Sequence, residues 1–384
     1  MTGIEAPVPP ASPAEAGAVP ATMRAAVLSA PGDGLVIEEI PTPRPGPGEV
    51  LIRVDACGVC HTDLHVIRGD VAFPTPAVLG HEVAGTVVAA GSRGHAVGTP
   101  VVTTFIMPCA SCRFCAAGRD DLCETFFAMN RLNGTLYDGT SRLRRPDGGT
   151  LAMYSMAGLA EYAVVPETAV FPRPAGLDPG AAAILGCAFF TAYGAVRHGA
   201  GLVAGETVAV VGAGGVGSSI LQVAAAFGAS QVIAVDLQDD KLALATVCGA
   251  TDTVNAGEGD AAEAVRELSG GGVDAAFEAI GLPSTWVQAT EMVRDGGRVV
   301  AVGIGARGAA APVEITRIVR RSISVVGSYG ARGRTDMPAV VRLAELGRIR
   351  PADVVTQEFP LADADAAYSA LDRGEIRGRA VLLP

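Results

Sequence analysis

The chain has 384 residues, with 29 Lys and Arg against 40 Asp and Glu and a formal net charge of −11, which excludes the basic footprint of a nucleic-acid binder. Hydrophobic residues make up 49% and charged residues 18%, so the chain is not a disordered polymer, and its length exceeds one ordinary core and favours two domains. No basic segment followed by an apolar one opens the chain and no charge-free stretch reaches bilayer length, so neither a secretory signal nor a membrane span is expected.

Residues 1–22, rich in Pro and Ala, carry no core-forming pattern and are expected to be a disordered lead-in. From Met23 the text is strand-like, with short β-runs at Arg24–Leu28 and Glu49–Val54 separated by the Pro/Gly string of 41–48. Cys60-His61-Thr62-Asp63 follows, and Gly80-His81-Glu82 leads into a further β-run to Val88. Cys109, Cys112, Cys115 and Cys123 then fall close together. Thiolates at this spacing on a tight loop suit a tetrahedral structural zinc, and the same spacing could also hold an iron–sulfur cluster. The chemically different Cys/His set upstream decides for zinc: a closed thiolate site beside a mixed one points to a zinc enzyme. Six of the eight cysteines lie in or beside these sites, and the lack of a disulfide framework fits a reducing cytosol.

Beyond Cys187 the rhythm changes to alternating strands and helices. Thr207–Val211 reads as a buried parallel strand, Gly212-Ala213-Gly214-Gly215-Val216-Gly217 as a turn, Ser218–Phe227 as a helix and Gln231–Asp236 as the next strand. Further β-runs near Val273, Gly297 and Ser322 imply a doubly wound parallel sheet. An amphipathic helix, Met337–Leu346, and a closing strand, Arg379–Leu383, end the chain. The glycine turn has the context of a dinucleotide site. Gly212 makes the turn, Gly214 admits a pyrophosphate and Gly217 lets helix pack on strand, while the helix N-terminus offers free N–H groups. Asp236, at the end of the second strand, suits ribose hydroxyls and repels a 2′-phosphate, so NAD is expected over NADP. Lys241, the only lysine in the chain, stands close enough to Asp236 to be a cofactor contact.

Gly58-Val-Cys-His-Thr-Asp63, Gly80-His-Glu-Val-Ala-Gly85, the four-cysteine lobe, Gly186-Cys187 and the Gly212–Gly217 turn, in that order, resemble the zinc-dependent medium-chain alcohol dehydrogenases from Met23 to Pro384. The resemblance implies a β-rich GroES-like catalytic domain over 23–187 and 328–384 and a Rossmann NAD-binding domain over 188–327, with the active site in the cleft between them. It implies two zinc ions per chain, a catalytic one on Cys60, His81 and Cys187 and a structural one on Cys109, Cys112, Cys115 and Cys123. Cys57 and Cys248 match no motif and are read as packing residues. Glu82 and Asp63 match acids beside the catalytic metal, with Asp63 orienting His81. His61 and Arg377 match residues near the cofactor pyrophosphate, joining Gly212, Gly214, Gly215, Val216, Gly217, Asp236 and Lys241 as candidate cofactor contacts.

The chemistry implied is oxidation of an alcohol activated as an alkoxide on zinc, acting as Lewis acid. The proton would pass through Thr62 and the cofactor ribose to His65, and the hydride to NAD. The expected partner is a small-molecule alcohol, aldehyde or ketone, and the expected state a cytoplasmic homodimer or homotetramer. Three alternatives stand beside this one. A thiol-dependent dehydrogenase of S-hydroxymethyl (formaldehyde) adducts, of glutathione or mycothiol type, is opposed by His65, which such relatives usually lack. A semialdehyde reductase is motivated by Arg131, Arg142, Arg144 and Arg145, on a 126–154 loop that resembles the insert of longer-chain relatives; a solvated surface is the plainer reading of those arginines. From another class, a non-catalytic zinc- and NAD-binding protein is opposed by the complete residue set. Phe105 matches a substrate-pocket aromatic, with a core phenylalanine as its alternative.

Overall fold

A computed structural model describes residues 19–91 and 94–384; the lead-in expected over 1–22 lies, up to residue 18, outside the described residues. The first strand, Thr22–Leu28, begins where apolar residues first recur, and five of its seven side chains are buried. It pairs antiparallel with Leu35–Pro41 and with Ala77–Val78, and the sheet continues through Thr150–Met153 to Leu143–Arg144. A second sheet is built around Glu49–Val59, which pairs antiparallel with Val83–Ala90, Tyr162–Pro166 and the C-terminal strand Arg379–Leu383. The last of these pairings brings the end of the chain back onto its beginning.

The expected doubly wound sheet is present. Its six parallel strands lie in the order Asp252–Asn255, Gln231–Asp236, Thr207–Val211, Val273–Glu278, Val293–Ala301, Ser324–Gly327. The order reverses beside Thr207–Val211, and ligands of such sheets bind at the carboxyl ends of the strands flanking that reversal. Val208, Ala209, Val210 and Val211 are all buried, as a strand covered by helices on both faces requires.

Between the two regions runs a helical stretch, Pro179–Ala200, long and apolar enough by composition to cross a membrane, contrary to the sequence expectation; 94% of its apolar window is buried inside the fold, which makes it a core element. Asp178 caps its start by accepting from the N–H groups of Gly180 and Ala181, and Cys187 interrupts it with φ −130° and ψ −69°. Gly194, further along, has no room for a Cβ, which would lie 1.9 Å from the carbonyl oxygen of Gly330. That close approach holds the helix against the segment leaving the parallel sheet.

Candidate active site

Three separate elements deliver the mixed metal cluster. Cys60 precedes the helix His61–Arg68, His81 and Glu82 lie just before the strand Val83–Ala90, and Cys187 sits at the break in the core helix. One donor atom from each of Cys60, His81, Glu82 and Cys187 lies within 4.8 Å of all the others, and all four residues are buried. His81 Nδ1 donates to Asp63 Oδ1 at 3.0 Å, which leaves Nε2 facing the cluster. Asp63 also accepts from the Gly80 N–H at 3.2 Å and from the Tyr368 hydroxyl at 3.0 Å. Two soft sulfurs, an oriented imidazole and a nearby acid form a donor set that suits zinc.

The electrostatics point the same way. A hydrogen bond from Cys187, opposed by burial and helped by the Arg379 charge, holds the Cys60 thiol well below its usual range, while the Cys187 thiol is pushed up by its bond to Cys60 and by burial. Two sulfurs sharing a proton in this way are both freed of protons when a cation binds. Burial raises the Glu82 carboxyl to about 7, against the pull of Arg379. Neither Glu82 oxygen has a hydrogen-bond partner, and Arg379 Nε and Nη2 are also without one. Buried polar atoms left without a hydrogen bond around a cluster of donors mark a place where further polar atoms belong.

The four-cysteine lobe gathers as the spacing predicts. The sulfurs of Cys109, Cys112, Cys115 and Cys123 lie within 4.8 Å of one another. Backbone N–H groups point at them: Cys112 to Cys109 Sγ at 3.2 Å, Cys109 to Cys123 Sγ at 3.3 Å and Phe126 to Cys123 Sγ at 3.4 Å. Burial works upward on Cys109, yet hydrogen bonds from Thr125, Ser111 and Cys112 bring its thiol down to about 6. Donors aimed at sulfur favour thiolates, the form a metal takes. The lobe is pinned to the rest of the fold by Arg334, which donates to Asp120 at 2.7 Å and to the Cys115 carbonyl at 2.6 Å.

The glycine turn fits a dinucleotide. Gly212 has φ +95°, and a Cβ on Gly217 would lie 1.7 Å from the Gly212 carbonyl oxygen, whereas a Cβ on Gly214 would meet nothing within 4 Å. Gly214 thus borders open space at the start of the helix Gly215–Ala226, where Gly215 and Val216 form the first turn. Asp236 is held by the N–H groups of Ala213 and Leu237, each at 2.8 Å, and of Gln238 at 3.1 Å. Lys241 has no ion-pair partner among the described residues, and its charge, with that of Arg379, reaches His61.

Arg377 is not brought to the turn: it is exposed and pairs with Asp240 at 2.9 Å. The guanidinium beside the turn belongs to Arg379, whose Nε would lie 2.8 Å from a Cβ on Gly215. Sequence reading passed over Arg379 because it stands inside a strand pattern; the only signal was an arginine where the other strand residues are apolar. Thr62 and His65 lie one helical turn apart on His61–Arg68. The Thr62 hydroxyl is 3.7 Å from Cys60 Sγ, and His65 Nδ1 is 3.1 Å from Asp70 Oδ2. Phe105 packs edge-on to His81, with ring centroids 6.0 Å apart, so it borders the cluster as well as the core. Cys57 and Cys248 are buried and belong to neither donor cluster, though Cys57 lies near enough to the mixed one for the charges of Asp63, Glu82 and Cys60 to reach it.

The sequence matches two family profiles, an alcohol dehydrogenase GroES-like domain over residues 46–175 and a zinc-binding dehydrogenase over 215–345. It is 34% identical over 366 residues to an alcohol dehydrogenase of Geobacillus stearothermophilus, covering 94% of this chain and 98% of the relative. It is 34% identical over 364 residues to an S-(hydroxymethyl)glutathione dehydrogenase of Synechocystis sp., covering 92% and 97%. Among solved structures, a zinc-binding-domain alcohol dehydrogenase protein from Burkholderia ambifaria superposes with a TM-score of 0.89 at 34% identity, covering 94% of this chain and 99% of the other.

Proposed function

Because the chain belongs to the zinc-dependent medium-chain alcohol dehydrogenase family, we propose that it transfers a hydride between NAD(H) and a small alcohol–aldehyde or alcohol–ketone pair at the Cys60, His81 and Cys187 cluster. One observation carries this reading. Arg379 stands 3.4 Å from Glu82 at the metal cluster and against Gly215 at the dinucleotide turn, so the two sites share a wall. When bound, zinc supplies Lewis acidity to a hydroxyl or carbonyl oxygen and NAD supplies the hydride acceptor.

The chain's residues divide the remaining work. Cys60, His81 and Cys187 hold the catalytic ion, with Asp63 fixing the imidazole and Glu82 close by as a buried acid. Cys109, Cys112, Cys115 and Cys123 hold the structural ion. Thr62 Oγ1 receives the proton of the substrate hydroxyl, and His65, part exposed and oriented by Asp70, releases it to water. Gly212, Gly214, Gly215, Val216 and Gly217 line the pyrophosphate site with His61, Lys241 and Arg379. Asp236 takes the ribose hydroxyls, which favours NAD over NADP. The catalytic region then comprises 23–187 with 328–384, and the NAD-binding region 188–327. Exposed Ile315, Val319 and Val325, by the edge strand Ser324–Gly327, support a homodimer or homotetramer, and eight unpaired cysteines support a reducing, cytoplasmic setting.

The test is NAD(H) turnover by zinc-loaded protein on primary, aromatic and secondary alcohols, their carbonyl partners, and formaldehyde with and without a thiol. Turnover of free alcohols or aldehydes is expected. Formaldehyde oxidation that needs a thiol would move the enzyme to the reaction named for the Synechocystis relative, and no turnover with both ions bound would refute the reading.

A further inference from the structure

Arginines of the 126–154 insert fall into two kinds. Arg142 is ion-paired with Glu49 at 2.6 Å and Asp138 at 2.8 Å, and Arg145 with Glu38 at 2.6 Å. Arg144 is exposed. Arg131 alone is partly buried with no carboxylate at ion-pair distance among the described residues. It ends the π-helical segment Phe126–Arg131, and its guanidinium stands 4.0 Å from the centroid of the Tyr154 ring. That ring, 1% exposed, packs edge-on to His81 at 6.1 Å. A single aromatic ring therefore separates a permanent cation from the imidazole of the metal cluster.

Its surroundings are aromatic. Phe105 packs on Tyr329 at 5.3 Å and Phe127 on Tyr329 at 5.8 Å. Asp63, whose charge also acts on Arg131, is already engaged by His81, Gly80 and Tyr368. Besides that carboxylate, the polar groups acting on the guanidinium are the hydroxyls of Tyr154 and Tyr329. Stacking on an aromatic face offsets only part of what withdrawing an ion from water costs. Nor is the placement slack: the Asn130 side-chain amide donates to the carbonyls of Thr135, Met153 and Ser155 at 3.2, 3.1 and 2.9 Å, fixing the backbone that presents Arg131.

We propose that Arg131 recognises a carboxylate on the substrate, so that the enzyme acts on an alcohol or aldehyde carrying a carboxylate at the far end of a flat, apolar body. The proposal rests on the reading that the Cys60, His81 and Cys187 cluster is the reaction centre. A planar guanidinium pairs with a carboxylate through two parallel hydrogen bonds, and the aromatic walls take the body between the two ends.

The experiment uses full-length, zinc-loaded enzyme, its Arg131→Met and Arg131→Lys variants, and matched aldehydes with NADH: 4-carboxybenzaldehyde against 4-methylbenzaldehyde, and succinic semialdehyde against butanal. The wild type should favour the carboxylated member of at least one pair in kcat/KM by about tenfold or more, the scale of one charge-assisted hydrogen bond. Arg131→Met should erase that preference and Arg131→Lys restore part of it. A second readout needs no turnover: calorimetric titration with 4-methylbenzoate and 4-methylbenzamide should show tighter carboxylate binding that is lost in Arg131→Met. Equal losses for both members of a pair, or carboxylate binding indifferent to the substitution, would mean that Arg131 only packs on Tyr154. Turnover of neutral substrates without any carboxylate preference overturns the subsite and leaves the redox reading standing. Carboxylate binding that depends on Arg131, with no turnover of any pair, overturns the redox reading and keeps the subsite.

Discussion

Replacing Asp63 isolates how the buried imidazole is aimed. Its carboxylate accepts from Gly80, His81 and Tyr368 at 3.2, 3.0 and 3.0 Å, and none of Asp63, His81 or Tyr368 is more than 2% exposed. In Asp63→Asn the amide oxygen can still accept from Gly80 and His81, and the amide nitrogen can donate to the Tyr368 oxygen. What disappears is the charge. A hydrogen bond to a charged group contributes about 1.5–3 kcal/mol and a neutral one about 1 kcal/mol, a difference of roughly 0.5–2 kcal/mol, or about 2- to 30-fold in an equilibrium constant. That range overlaps the 10- to 100-fold effect on metal affinity known for partners of ligating histidines. The assay is zinc content during competition with a chelator, where the two clusters should release separately. Asp63→Asn should give up the ion at the mixed cluster at about tenfold lower chelator and keep the one in the four-cysteine lobe. Release of both ions at the wild-type chelator concentration would refute the argument. Asp63→Ala is a poorer test, because it leaves three buried groups unpaired at about 1–3 kcal/mol each and confounds metal loss with unfolding.

Cys112→Ser opens the four-thiolate site and should remove one zinc and lower Tm by about 5 °C or more; normal metal content with an unchanged melt would contradict a structural ion there. Asp236→Ala should raise the KM for NAD by about tenfold and shift the NAD-to-NADP ratio of kcat/KM toward NADP, an unchanged ratio counting against the ribose role. Asp138 is held down to about 2 by its hydrogen bond to Arg142. Because the folded value lies below the unfolded one of about 3.9, the stabilisation is present above the unfolded value and is lost as pH falls through the folded one. Asp138→Asn should therefore melt below the wild type at pH 6, with the gap closing toward pH 2; a gap independent of pH would assign the loss to packing instead. The acid is about half exposed, so the gap should be small.

The sequence was most readable where chemistry forces spacing. Four thiolates on one tight loop, or a glycine turn between a strand and a helix, can be assembled from local geometry, and both are found where the spacing puts them. It was least readable where one side chain depends on a distant strand. Arg377 and Arg379 flank Gly378, and local text cannot tell which faces the turn. The strand boundary decides it: Arg379 begins a strand whose next three residues are buried, while Arg377 precedes that strand and pairs with Asp240. The insert arginines make the same point. Read as a group they resemble solvated charge, and only their partners Glu38, Glu49 and Asp138 separate Arg142 and Arg145 from Arg131.

The pairing of Arg379–Leu383 with Glu49–Val59 then has a consequence for the order in which the site is completed. Ala380 lies opposite Val59, Val381 opposite Gly58 and Leu382 opposite Cys57, so the same antiparallel register sets Arg379 beside Cys60. Ala380, Val381 and Leu382 are fully buried, and a slip of one residue would turn their side chains to the opposite face and carry Arg379 away from the cluster. The register is thus held by apolar packing, while its product is electrostatic: a buried cation that lowers the Cys60 thiol and opposes the rise of the Glu82 carboxyl. Until the last strand docks, the mixed cluster lacks the positive charge that its acids and thiolate face. The C-terminal strand therefore completes the metal cluster and the wall of the dinucleotide turn in one step.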